Sequence, residues 1–208
     1  MCGRYYLNTS PAEVAQRWGA VVQGKLPFEQ NDDIRPTTSV PVVRQHERER
    51  IMLPQKWGLQ PSWAKSILIH ARAKEAAHKA TWKRALKERR CLLPASGFFE
   101  WPKDNKSRPR AERQKFRIGF NSQDIAALAG LWFPPTTADD NEEHCVILTT
   151  EPNTKVEGIP HHRMPVVIPK DQFEHWLDET QTDSELLEPF FDPWNSDDTW
   201  IQEERNTQ

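Results

Sequence analysis

Cys2 follows the initiator methionine directly, in Met1-Cys2-Gly3-Arg4. Cytosolic processing removes Met1 most readily when the next side chain is small. Its loss would leave an α-amine and a thiol on adjacent carbons, with reference pKa values of about 7.7–8.0 and about 8.5. Such a 1,2-aminothiol condenses with an aldehyde, first to an imine and then to a closed thiazolidine. Three further groups could serve that chemistry. Glu100 sits among aromatics in Gly97-Phe98-Phe99-Glu100-Trp101-Pro102. It is either a desolvated carboxylate suited to general acid–base work or a strand glutamate facing solvent. His161 and His162 lie between Pro160 and Pro165 in a stiff loop that also carries Arg163, and an extended backbone can aim only one of the pair at a given site. Arg72, in Ile69-His70-Ala71-Arg72, follows a tryptophan-rich stretch from Trp57 to Trp63. Aromatic faces beside arginines suit a single-stranded nucleic acid, although a tryptophan in a Pro-Ser turn also packs well in a core.

These groups need a scaffold. Ser10-Pro11-Ala12-Glu13 reads as a capping box that starts a helix, and Gly19 stops it. Val40 to Arg44 and Ile51 to Leu59 alternate as strands, with a charged connector between them. Trp82 to Arg89 reads as a short helix capped by Thr81, followed by a buried strand at 91–93 that Pro94 breaks. Charged Asp104 to Gln114 reads as a loop, and Asp139 to Glu143 as an exposed connector. Phe116 to Phe120, Ile125 to Trp132 and Cys145 to Thr149 are further strands. Val166 to Ile168 is a strand leading into a helix over 170–178, and after Thr180 the patterns dissolve. The expected architecture is α+β: a single domain over 2–180 with a mostly antiparallel sheet, then an acidic tail over 181–208 that is divergent or partly disordered.

The 208 residues can bury a sizeable core, and seventeen prolines favour short strands and turns over long helices. Three cysteines are too few for a disulfide scaffold and point to reduced thiols, hence a cytoplasmic protein. No CxxC or HxxxH spacing supports zinc, and no phosphate-loop or dinucleotide-binding motif occurs, so no cofactor is expected. No apolar run reaches membrane-spanning length. The charge is uneven. Residues 171–208 hold twelve Asp/Glu against one Arg, whereas Lys65 to Arg90 carries nine Lys/Arg against two glutamates. A basic body suits a polyanion, unless those cations form only a solvated helix face.

Taken in order, several segments resemble the SRAP family, the SOS-response-associated peptidase-like proteins. They are Met1-Cys2-Gly3-Arg4-Tyr5, the Pro36-Thr37 turn, Trp57-Gly58-Leu59 with Pro61-Ser62-Trp63, and Ala71-Arg72-Ala73. Cys91 to Ala95 running into Gly97 to Trp101, Ala129 to Trp132, Thr149-Thr150 and His161-x-Arg163-Met164-Pro165 complete the set. The resemblance implies a twisted, barrel-like sheet flanked by short helices, and a monomeric sensor of abasic sites in single-stranded DNA, junctions with duplex included. It also implies roles. The α-amine of Cys2 attacks the C1′ aldehyde of the abasic sugar and its thiol closes the thiazolidine. Glu100 shuttles protons, and His161 assists imine chemistry and reversal. Arg4, Arg72 and Arg163 hold phosphates, while Trp63, the Pro36 turn and Thr150 complete the DNA path. The peptidase label corresponds to loss of Met1 and does not extend to other substrates.

The chain departs from the family pattern at His70, where an asparagine is expected to hydrogen-bond the reacting centre. Neutral imidazole also offers one donor and one acceptor, but from a rigid ring that charges near pH 6.5. Lys74 and Glu75 also stand where the family has Glu and Thr. Two other readings remain: an N-terminal-nucleophile glutamine amidotransferase, which shares the Met-Cys-Gly start, and a non-covalent single-strand binder.

Overall fold

The computed structural model describes residues 3–102, 107, 113–136, 140–159 and 163–204. Strand β1 (Arg4–Leu7) leads into helix α1 (Pro11–Trp18). The Ser10 hydroxyl accepts from the Glu13 N–H, and Gly19 closes the helix at φ 63°, a left-handed position that suits a residue without Cβ. Then follow β2 (Val21–Val22), β3 (Asn31–Ile34), β4 (Ser39–His46) and β5 (Glu49–Trp57). Short β6 (His70–Arg72) runs into α2 (Ala73–Ala76) and α3 (Ala80–Glu88), after which come β7 (Arg90–Ala95), β8 (Gly97–Glu100), β9 (Lys115–Phe120), β10 (Ala126–Phe133) and β11 (His144–Thr150). The chain ends with α4 (Thr154–Gly158), β12 (Met164–Pro165), β13 (Val167–Ile168), α5 (Phe173–Leu177) and β14 (Thr199–Glu204).

Five strands close on themselves. β7 pairs with β4, β4 with β5, β11 with β10 and β10 with β7, all antiparallel. A parallel pairing of β5 with β11, at Lys56–His144 and Trp57–Cys145, completes the ring. The barrel strands are apolar on both faces, with Val42, Met52, Leu92, Leu128, Val146 and their neighbours fully buried. The second sheet has the order β14-β9-β8-β1-β3. One residue, Ser96, separates β7 in the barrel from β8 in this sheet. Gly97 is obligatory there, because a Cβ would lie 2.1 Å from the Ile118 carbonyl oxygen and 2.4 Å from the Tyr6 hydroxyl. The expected α+β domain with a twisted, mostly antiparallel barrel-like sheet is the fold observed.

Two local expectations are corrected. Thr81 is not the cap of α3. The helix begins at Ala80 with Lys79 as N-cap and no side-chain hydrogen bond there, because the turn leaving α2 sets its start. Pro94 does not break the strand. It stays in β7 opposite Ala127 while its neighbours keep their pairing with β10. The helix expected over 170–178 is present, as a 3-10 turn at Lys170–Gln172 running directly into α5.

The largest correction is at the C-terminus. Residues 185–191 form a 3-10 segment with Leu187 and Phe191 buried. β14 then pairs with β9 along six residues, from Thr199–Phe120 to Glu204–Lys115. Its carboxylates are matched: Glu204 reaches Lys115 at 2.6 Å and Arg117 at 2.9 Å. The described part of the acidic segment is therefore folded onto the domain. Most of the expected loop at 104–114 lies outside the described residues.

Candidate nucleic-acid and reaction site

The barrel and the second sheet meet through β1. Arg4 of β1 lies opposite Phe99 of β8, so the N-terminal end of β1 sits at the Glu100 end of β8. Glu100 is 1% exposed, paired with Phe116 of β9 and preceded by the fully buried Phe99. Of the two readings of this residue, the buried carboxylate is the one observed. The Arg4 guanidinium lies 5.5 Å from the Trp101 ring centroid and 3.5 Å from the Asp33 carboxylate.

Rings connect this corner to β6. Tyr5 meets Trp57 edge-on with centroids 5.3 Å apart, and Trp57 meets His70 edge-on at 6.3 Å. The buried Trp57 indole N–H donates to the Ile69 carbonyl at 3.0 Å, fixing the backbone just before His70. The Trp57 backbone also holds the Pro36 turn, since Thr37 N–H donates to its carbonyl at 2.7 Å and its own N–H donates to Thr38 at 3.0 Å. Thr37 takes φ 72°, an uncommon conformation for a β-branched residue, sustained by this clamp. One tryptophan thus positions both the half-buried Pro36 turn and His70.

The end of β11 gathers the arginines. Thr149 has Arg72 of β6 as its parallel partner on one side and Pro165 of β12 on the other. Arg163, just before β12, donates to the Thr149 carbonyl and reaches Glu151 at 3.1 Å. Burial lowers the Arg163 pKa, with Glu151 opposing that shift and Arg72 adding to it. Arg72 is exposed and pairs with Glu75 at 2.8 Å. Lys74 reaches Glu151 at 3.2 Å, and Lys79 also contacts Glu75. Four cations and two carboxylates therefore interlace around one strand end.

Trp63 is 65% exposed, on a loop tied at its base by reciprocal hydrogen bonds between Leu59 and Leu68 at 2.9 and 2.8 Å. Thr150 behaves differently from the sequence expectation. It is fully buried, and its hydroxyl donates to the Phe191 carbonyl. Its side chain anchors the C-terminal segment instead of lining an open path.

A family model described as "SOS response associated peptidase (SRAP)" matches residues 1–203. The chain belongs to the SRAP family. A relative named "Abasic site processing protein YoqW", from Bacillus subtilis, is 29% identical over 95% of this chain and 89% of its own length. "Abasic site processing protein YedK" from Escherichia coli is 24% identical, covering 85% of this chain and 79% of its own. HMCES from Gallus gallus, with the same description, is 28% identical over 69% of this chain and 52% of its own. A crystal structure of a protein from Bacteroides thetaiotaomicron superimposes with TM-score 0.82 at 21% identity, covering 99% of this chain and 93% of that one, so the fold is shared. The SRAP match extends past residue 180 into β14, in keeping with the pairing of that strand.

Of the residues singled out for chemistry in this SRAP chain, Cys2 and His161 lie outside the described residues. Arg4, Glu100 and Trp101 share one corner; Arg72, Thr149 and Arg163 share the other; His70 and the Pro36 turn lie between them on Trp57. From the sequence Trp57 and Glu75 were noted without a role in the site, and Glu151 was passed over. The glycine beside Trp57 is required by the structure, since Gly58 takes φ 127° and a Cβ there would meet Ile67 at 2.7 Å. Cys91 and Cys145 are buried in the barrel, and burial pushes both thiols up. Among the described residues, no cluster of three His, Cys, Asp or Glu could hold a metal, and no helix is long and apolar enough to cross a membrane.

Proposed function

We propose that this chain processes abasic sites by binding single-stranded DNA and forming a covalent thiazolidine through the mature N-terminal Cys2. The observation that carries the reading is the packing of β1 against β8, with the end that follows Cys2 beside the buried Glu100. The names of its SRAP relatives point to the same substrate. The α-amine adds to the C1′ aldehyde, and the carbinolamine loses water to give an imine. The thiol then adds to the imine carbon, and the nitrogen takes up a proton as the ring closes. Glu100 moves the protons and His161 assists. Arg4, Arg72 and Arg163 hold flanking phosphates, with Trp63 offering a face for an unstacked base.

The test mixes Met1-processed protein with a uracil-containing single-stranded oligonucleotide treated with uracil glycosylase, then resolves the products on a denaturing gel. A heat-stable shifted band is expected. Binding without that band would favour a non-covalent binder, and glutamine hydrolysis without DNA binding would favour an amidotransferase.

Two predictions follow from the geometry. Arg72→Gln or Arg163→Gln lowers single-strand affinity and flattens the slope of log K against log salt by about 0.7, the value of one phosphate contact. An unchanged slope in a binding titration removes that arginine from the phosphate-binding set. His70→Asn replaces a titratable imidazole with an amide that does not titrate, so crosslinking rates between about pH 5.5 and 8 should become flatter. An unchanged pH profile would exclude His70 from the reaction.

A further inference from the structure

Each arginine assigned to a phosphate already faces a carboxylate of its own chain. Arg4 lies 3.5 Å from Asp33, Arg72 2.8 Å from Glu75 and Arg163 3.1 Å from Glu151. Each of these carboxylates serves a second cation as well, Arg35 for Asp33, Lys79 for Glu75 and Lys74 for Glu151. The acids are accessible: the Glu75 side chain is 35% exposed and that of Glu151 50%. Ion pairs this exposed are weak and exchange readily. Lys79 first, and then Arg72, hold the Glu75 carboxyl at about 2, so it stays anionic at working pH.

We propose that Glu75 and Glu151 are specificity-determining residues, internal counter-charges that keep Arg72 and Arg163 aimed while suppressing their affinity for undamaged single strands. This rests on the single-strand-binding reading given above. A phosphate approaching Arg72 meets a guanidinium whose field is already opposed by Glu75. The attraction and the counterion release that drive sequence-independent binding are reduced accordingly. A protein that captures its lesion covalently loses little from weak equilibrium binding, because the covalent step holds the complex at the damaged site. Strong binding to intact strands would instead sequester it. Glu75 is also a feature of this chain, since it stands one position after the glutamate of the family pattern.

The experiment measures binding of intact oligo(dT), and crosslinking to the abasic oligonucleotide, for wild type, Glu75→Gln, Glu151→Gln and Glu75→Asp. The glutamines keep a hydrogen-bond acceptor for the arginine and remove only the charge. Each glutamine variant is expected to bind oligo(dT) about threefold to tenfold tighter at low salt and to steepen the salt slope by up to about 0.7. Glu75→Asp retains the charge and should stay near wild type. Unchanged or weaker oligo(dT) binding in both glutamine variants overturns the proposal, as does an equal gain in Glu75→Asp. A wild type that binds oligo(dT) but forms no covalent band defeats the crosslinking reading alone, and the oligo(dT) titration still decides the role of the carboxylates. A wild type that binds neither oligonucleotide overturns both.

Discussion

Cys2→Ala is expected to abolish the heat-stable band with abasic DNA while leaving single-strand affinity within about twofold of wild type. The alanine variant keeps its α-amine and can still form an imine, but that imine hydrolyses on denaturation because no thiol closes the ring. Reduction with borohydride should therefore trap the variant on the same oligonucleotide, whereas unreduced samples show none. Glu100→Gln has a smaller effect of the same kind. Removing a positioned general acid–base group costs about 10²–10⁴ in rate, and the burial of Glu100 leaves little room for solvent to substitute. A full-strength unreduced band from Cys2→Ala would eliminate the thiazolidine. A Glu100→Gln rate within about threefold of wild type would remove Glu100 from proton transfer.

What the sequence disclosed about this fold was mostly local. Helix α1 was readable because Ser10, Pro11 and Gly19 act within a few residues of one another, and the structure uses each in its expected role. The β4–β5 hairpin was readable from alternation, with only Glu47 and Arg48 left as its turn. The misreadings have non-local causes. The start of α3 is set by how α2 ends, so the plausible cap at Thr81 goes unused. β14 looked like solvated tail because its glutamates find their cations, Lys115 and Arg117, more than eighty residues upstream. Closure of the barrel by β5 and β11 joins segments a similar distance apart. The site follows the same division. Arg72 and Arg163 were recognisable by motif, but nothing in either segment says that they flank the same Thr149. Thr150 shows the converse, a motif residue whose hydroxyl is turned inward to hold the last segment.

The largest stability effect is expected at Arg90, which no motif marked. It is 5% exposed, and its guanidinium is shared among backbone carbonyls alone. Nη1 donates to Leu86 at 2.7 Å and Lys87 at 2.8 Å, at the end of α3. Nε donates to Trp176 at 2.6 Å, and Nη2 to Asp178, at the end of α5. One charge therefore satisfies the orphan acceptors of two helix C-termini, where the helix dipoles favour a cation. The Trp176 indole N–H completes the junction by donating to the Cys91 carbonyl at 3.0 Å. Arg90→Met fills part of the volume but strands these carbonyls, at roughly 1 kcal/mol or more for each buried acceptor left unmade, for a total of about 3–5 kcal/mol. For a domain of this size that corresponds to a fall in Tm of roughly 6–20 °C. Arg90→Lys should recover only part of it, because an ammonium lacks the planar fork that spans both helix ends. Burial disfavours the charged form and pulls the guanidinium down to about 10, still well above working pH. Below about pH 9 both states are charged, and the Arg90→Met deficit should be constant with pH in denaturant titrations. A deficit under about 1 kcal/mol would mean that water replaces the guanidinium between the two helix ends.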